Sequence, residues 1–151
     1  MKVVVQRVSS ASVRVEGRVA GEIGRGLLAL VGAETGDDPA LAEEAARKVA
    51  GLRVFEDADG RMNLALADVG GSVLAVSQFT LAADLSRGRR PGFERALPGP
   101  EAEPLYERFV AALRAHGVKV ETGVFGARMD VSLVNQGPAT FLVDLPGRGG
   151  L

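Results

Sequence analysis

Residues 27–52, LLALVGAETGDDPALAEEAARKVAGL, hold side by side the two element types that decide the fold. Leu27 to Val31 is an unbroken apolar run, the pattern of a strand covered on both faces. Asp37 or Asp38 then offers a helix cap, Pro39 suits a first helical turn, and Gly51 suits a helix end. Leu41, Ala45, Val49 and Leu52 recur at i, i+4, i+8 and i+11 and make one apolar stripe. A buried strand followed by an amphipathic helix predicts an α/β architecture.

Toward the amino terminus, Val3 to Val5 and Val13 to Val15 read as a strand pair. Glu16-Gly17-Arg18 is a hairpin turn into a further extended piece at Val19-Ala20. Toward the carboxyl terminus, strands are expected at residues 52–55, 73–79, 118–121, 129–134 and 140–143. A second helix is expected over residues 101–116, burying Leu105, Phe109 and Leu113 and stopping at Gly117. Two helices cannot cover both faces of so large a sheet. The expected fold is therefore α/β, a single layered domain of β-sheets packed on each other with two main helices on one side. Residues 82–100 form the longest stretch without a regular pattern, and a loop of that length is functional or disordered.

The 151 residues suit one domain spanning residues 1–151, able to bury roughly 70% of its unfolded surface. No apolar run approaches the roughly 20 residues of a membrane span. The start, MKVVVQRVSS, lacks the pattern of a secretory signal, so a cytoplasmic location without membrane contact is expected. With no cysteine there is no disulfide, thiolate metal site or cysteine nucleophile. A net charge of −1 argues against indiscriminate binding to nucleic acid. It leaves room for a local basic cluster, of which Arg87, Arg89 and Arg90 in SRGRRPGF are the densest. Arginine outnumbers lysine 15 to 3, which suits bidentate phosphate contacts but follows equally from a GC-rich coding sequence.

Three apparent sites carry little. His116 is the only histidine and falls in the last turn of a predicted helix, where an imidazolium meets the helix dipole. Asp57-Ala58-Asp59-Gly60 has the start of a calcium loop, but Arg61 stands where a ligand is needed, so a simple turn is expected. The glycines of GEIGRGLL lead into a strand, not into a helix whose amino terminus would hold phosphate. No metal and no cofactor are expected.

Two segments remain. Ser77-Gln78-Phe79-Thr80-Leu81 puts three hydrogen-bonding side chains at the end of an apolar strand, so that end is either capped by backbone or opens into a pocket. Asn135-Gln136-Gly137-Pro138-Ala139-Thr140 reads as a tight connection between two strands. Its Gly-Pro bond is of the type that adopts the cis form at low cost. SQFTL followed by NQGPAT resembles the paired signatures of the D-aminoacyl-tRNA deacylases. The resemblance extends through VVQRVSSASV, GEIGRGLL, NLAL, DVGG, GRRP and VETGVFGARMDVSLVNQGP. Ala82 departs from it, standing where many relatives carry an aromatic residue, as does the tail after Val143.

The resemblance implies hydrolysis of the ester of D-aminoacyl-tRNA by a homodimer with active sites at the subunit interface, with RNA and not DNA as partner. Ser77, Gln78, Phe79 and Thr80 would line the pocket, Phe125 and Met129 would lie near the terminal adenosine, and Gly137-Pro138 would reach across as a cis-peptide gate that rejects L-aminoacyl-tRNA. The backbone at Phe79 and Thr80 would stabilise the oxyanion. Thr80 as a nucleophile and the 2′-hydroxyl of the tRNA as an aid to water both remain open. A non-catalytic RNA-end binder and an esterase for small substrates are the alternatives of other classes. Cleavage of glycyl-tRNA is a further open point.

Overall fold

A computed structural model describes residues 1–147. The elements run β1 (Lys2–Val15), β2 (Arg18–Ile23), β3 (Gly26–Gly32), α1 (Pro39–Gly51), β4 (Phe55–Glu56), β5 (Met62–Leu64), α2 (Leu66–Val69), β6 (Ser72–Ser77), α3 (Gly99–Ala115), β7 (Lys119–Thr122) and β8 (Asp130–Asp144). A single 3₁₀ turn, Phe79–Ala82, follows β6. The main sheet has the order β2-β1-β3-β6-β7, with β8 also paired to β1, while β4 and β5 form a small separate hairpin. β3, β6 and β7 are parallel and the pairs made by β1 are antiparallel.

The expected strand pair at the amino terminus is instead one strand of 14 residues. Gln6, Arg7, Ser9, Ser10 and Ser12 break its apolar pattern without breaking its hydrogen bonding. Its first half pairs with β3, its second half with β2, and its other edge with β8 throughout. The turn between β1 and β2 falls at Glu16-Gly17 as expected, both with positive φ, the geometry of a tight hairpin.

Alternation along the strands sorts two cores. Val3, Val5, Leu27, Ala29, Val31, Val73 and Ala75 face α1 and α3, where Ala42, Ala46, Phe109, Val110 and Leu113 are buried. Val8, Val13, Ile23, Leu28, Leu74 and Val76 fill the opposite side. There β2 curls across until its backbone meets β7: a Cβ on Gly21 would stand 2.6 Å from the Thr122 carbonyl oxygen. Strands thus pack on strands across one core and helices cover the other, which is the layered α/β arrangement expected.

Both helices form where their periodicity placed them. Asp38 is the cap of α1, its Oδ1 accepting from the Leu41 amide at 2.8 Å. Asp37 accepts from the Glu34 amide and from the Met1 ammonium instead. α3 begins at Gly99, two residues earlier than expected, and buries Tyr106 and Val110 besides the three residues named from sequence. Residues 148–151, the end of the idiosyncratic tail, lie outside the described residues.

Candidate active site

β3 and β6 run parallel with Val31 opposite Ser77, so both present their carboxyl ends at the same side of the sheet, the usual place for ligands in α/β folds. Beyond that edge the Gln78 amide donates to the Val31 carbonyl at 2.8 Å, and the chain turns into the 3₁₀ segment. The amides of Phe79 and Thr80 donate to no backbone carbonyl among the described residues. The first amides of a helical turn have no partner inside it, so they are free to meet a ligand or water.

A cavity of about 540 Å³ opens here, within the size range of small-molecule sites. Ser77, Gln78 and Phe79 form one wall and Phe125 and Met129 another. Tyr106, Leu97, Pro98 and Gly99 close the far side. Aromatic rings are prominent in its lining: Phe79, 57% exposed, meets Phe93 edge-on with centroids 5.2 Å apart, and Tyr106 lies 5.9 Å from Phe125. Thr80 is adjacent to the lining but not part of it; its Oγ1 accepts from the Gln78 side-chain amide.

Tyr106 is a pocket residue that the sequence did not single out, because it shares the apolar face of α3. Its hydroxyl donates to the Ala75 carbonyl at 2.8 Å. Burial pushes its pKa up to about 12, against a weaker opposing pull from the charge of Arg114. It therefore stays a neutral phenol at physiological pH, and it is the only ionisable side chain of the lining.

Gly137 and Pro138 are not in this cavity. The expected turn between two strands is in fact an irregularity within one strand, β8. Gln6 pairs with Thr140 and Val8 with Asn135, so Gln136 to Ala139 bulge out opposite Arg7 alone. The Gly137-Pro138 bond is cis. Arg7, only 6% exposed, anchors the bulge: its Nε donates to the Gln136 carbonyl at 3.0 Å and its Nη1 to the Val54 carbonyl at 2.6 Å. Asn135 ties the same loop down by donating to the carbonyls of Arg7 and Ala139. A second, polar cavity of about 330 Å³ lies beside it, lined by Arg7, Arg25, Glu56, Gln136 and Gly137. The signal for Arg7 was present in the sequence, as a cation in the middle of a valine-rich strand.

The sites set aside hold bland positions. His116 is exposed at the end of α3, away from the cavity. Asp57 accepts the amides of Asp59 and Arg61 and closes a turn, and these bonds hold its carboxyl below the usual range, the Arg61 amide foremost. No helix among the described residues is long and apolar enough to cross a membrane.

Fold and cavity together define an α/β domain with an aromatic-lined cavity at the carboxyl ends of parallel strands. A family model described as D-Tyr-tRNA(Tyr) deacylase matches residues 4–144. A D-aminoacyl-tRNA deacylase of Thermomicrobium roseum is 60% identical over 144 residues, covering 95% of this chain and 94% of that one. The solved structure of a c-Myc DNA unwinding element binding protein superposes with a TM-score of 0.90 at 39% identity, over 97% of this chain and 99% of that one. A probable eukaryotic D-amino acid tRNA deacylase shares the fold, with a TM-score of 0.82 at 18% identity over 95% and 98% of the two chains. The chain belongs to the D-Tyr-tRNA(Tyr) deacylase family and is a hydrolase.

Proposed function

We propose that the protein hydrolyses the ester between a D-amino acid and the 3′ end of tRNA in the cytoplasm, releasing free tRNA and the D-amino acid. The observation that carries this reading is the meeting of Ser77, Gln78, Phe79, Phe125 and Met129 around one cavity at the sheet edge. The exposed ring of Phe79 in its lining suits the terminal adenine, since stacking on a ring contributes about 1–3 kcal/mol per base.

Water adds to the ester carbonyl carbon, and the tetrahedral oxyanion accepts hydrogen bonds from the Phe79 and Thr80 amides. Each such donor contributes about 3 kcal/mol to the transition state. The 3′ oxygen of the ribose then leaves with a proton. Tyr106 holds its proton too tightly to act as a base, and a threonine nucleophile needs one. The 2′-hydroxyl of the substrate therefore assists the water as a relay, taking its proton while passing its own to the departing 3′ oxygen, with Thr80 positioning and not attacking. Chirality is read by the Gly137-Pro138 segment of a second copy, whose backbone excludes an L side chain from the space beside the α-carbon. The active form is then a homodimer.

The test is deacylation of matched D-, L- and glycyl-tRNA by the purified protein, with and without a chelator. The D ester should be cleaved at least about a hundredfold faster than the L ester, a difference of about 2.7 kcal/mol, and chelation should leave the rate unchanged. Equal rates on D and L esters, or cleavage of simple esters but not of charged tRNA, would overturn this reading.

A further inference from the structure

We infer that the loop from Asp84 to Arg95 is a phosphate-binding clamp for the RNA strand leading to the 3′ end, built around Arg87, Arg89 and Arg90. The inference rests on the RNA substrate proposed above. These twelve residues hold four arginines against two acids, in a chain whose net charge is −1. Arg87, Arg89 and Arg90 are all exposed. None of the three takes part in an ion pair or a side-chain hydrogen bond among the described residues. A solvated surface usually intersperses both signs; here three adjacent guanidinium groups repel one another with no local acid between them.

The placement of the loop supplies the second argument. It leaves the 3₁₀ turn that carries Phe79 and returns through Phe93, Ala96 and Leu97; Phe79, Ala96 and Leu97 all line the cavity. Phe93 packs directly on Phe79. The base of the loop is pinned by a reciprocal backbone pair between Asp84 and Gly92, at 2.8 and 2.9 Å. The Asp84 carboxylate accepts from the Ser86 amide at 2.9 Å and fixes the first bend. The arginines are thus held on a closed loop flanked in the chain by pocket residues, Phe79 before it and Ala96 and Leu97 after it. An ester seated there brings its own phosphates past the loop, and the guanidinium fork matches phosphate in two-point contacts.

The experiment compares wild type with a triple variant, Arg87→Gln, Arg89→Gln and Arg90→Gln. A control of equal charge loss on the outer helices carries Arg47→Gln, Lys48→Gln and Arg108→Gln. Binding of uncharged tRNA is measured by fluorescence anisotropy over a range of salt, and turnover is measured on D-aminoacyl-tRNA and on D-aminoacyl-adenosine. The loop variant should bind tRNA about tenfold or more weakly, and its slope of log K against log salt should shrink by about two to three. KM for the tRNA ester should rise while hydrolysis of the adenosine ester stays at the wild-type rate, and the control should change little. Unchanged binding and slope, or equal losses in both variants, overturns the clamp. Failure of the wild type to cleave either ester would instead refute the deacylase reading, and the binding arm would still decide the clamp.

Discussion

Arg7 ties the Gly137 bulge to the fold through a single side chain. Its side chain is the only charged one among the buried residues described, and burial of a charge is costly unless its hydrogen bonds are made. Two of them go to the carbonyls of Gln136 and Val54, and Glu56 stands 3.9 Å from Nη2 as a distant counter-charge. Removing the guanidinium leaves those carbonyls without their donor, which costs about 3 kcal/mol. Arg7→Met should therefore lower the melting temperature by roughly 6–12 °C and loosen the bulge at Gly137. Lysine, a point charge on a flexible stem, cannot serve both carbonyls and should recover only part of the loss. Thermal unfolding with parallel D- and L-ester assays checks this. A variant with native stability and native selectivity would show that the anchor carries no load.

At the scale of elements, local chemistry decided which parts were readable before the structure. α1 and α3 were legible because stripe, cap and stop agree: Asp38 bonds the Leu41 amide, and Leu41, Ala45 and Val49 are buried together. Asp38→Ala should cost about 1 kcal/mol, seen as a fall of about 2–4 °C in melting temperature, since Asp37 is engaged elsewhere and cannot replace it. A fall as large in Asp37→Ala and none in Asp38→Ala would reverse the assignment. The long strands were less legible. β1 carries polar residues at its centre because two different partners share its edge there, and β8 hides its continuity behind a Gly-Pro pair that looks like a turn. Neither partner sharing nor a bulge opposite Arg7 leaves a local periodic signal. The pocket wall at Ser77 to Phe79 was legible from polar residues ending an apolar strand. Tyr106 was not, because its hydroxyl bond to Ala75 depends on a contact 31 residues away in sequence.

Taken whole, the molecule separates two things the proposed reaction needs together. The cavity sits at the carboxyl ends of β3 and β6, and Val131 on β8 belongs to it. Gly137 follows six residues later on the same strand, up to about 20 Å away at a rise of about 3.3 Å per residue, and lines a different cavity. The proposed homodimer joins them: in a twofold pair of chains each would lend its bulge to the other's pocket. β8 also exposes Val134 and Leu142, 56% and 60% accessible, on the strand that carries the bulge, apolar surface suited to burial between subunits. This proposal has a test that a monomer cannot imitate. Ala127→Trp fills the pocket, and Gly137→Val crowds the bulge, where a Cβ would already stand 2.9 Å from the Asn135 side-chain oxygen. Each variant alone should be nearly inactive. Unfolded together and refolded, half of the dimers are mixed, and each mixed dimer holds one site made of a native pocket and a native bulge. Activity should therefore return to about a quarter of wild type by random pairing of twofold partners. Recovery no greater than the sum of the two separate variants would show that pocket and bulge act within one chain.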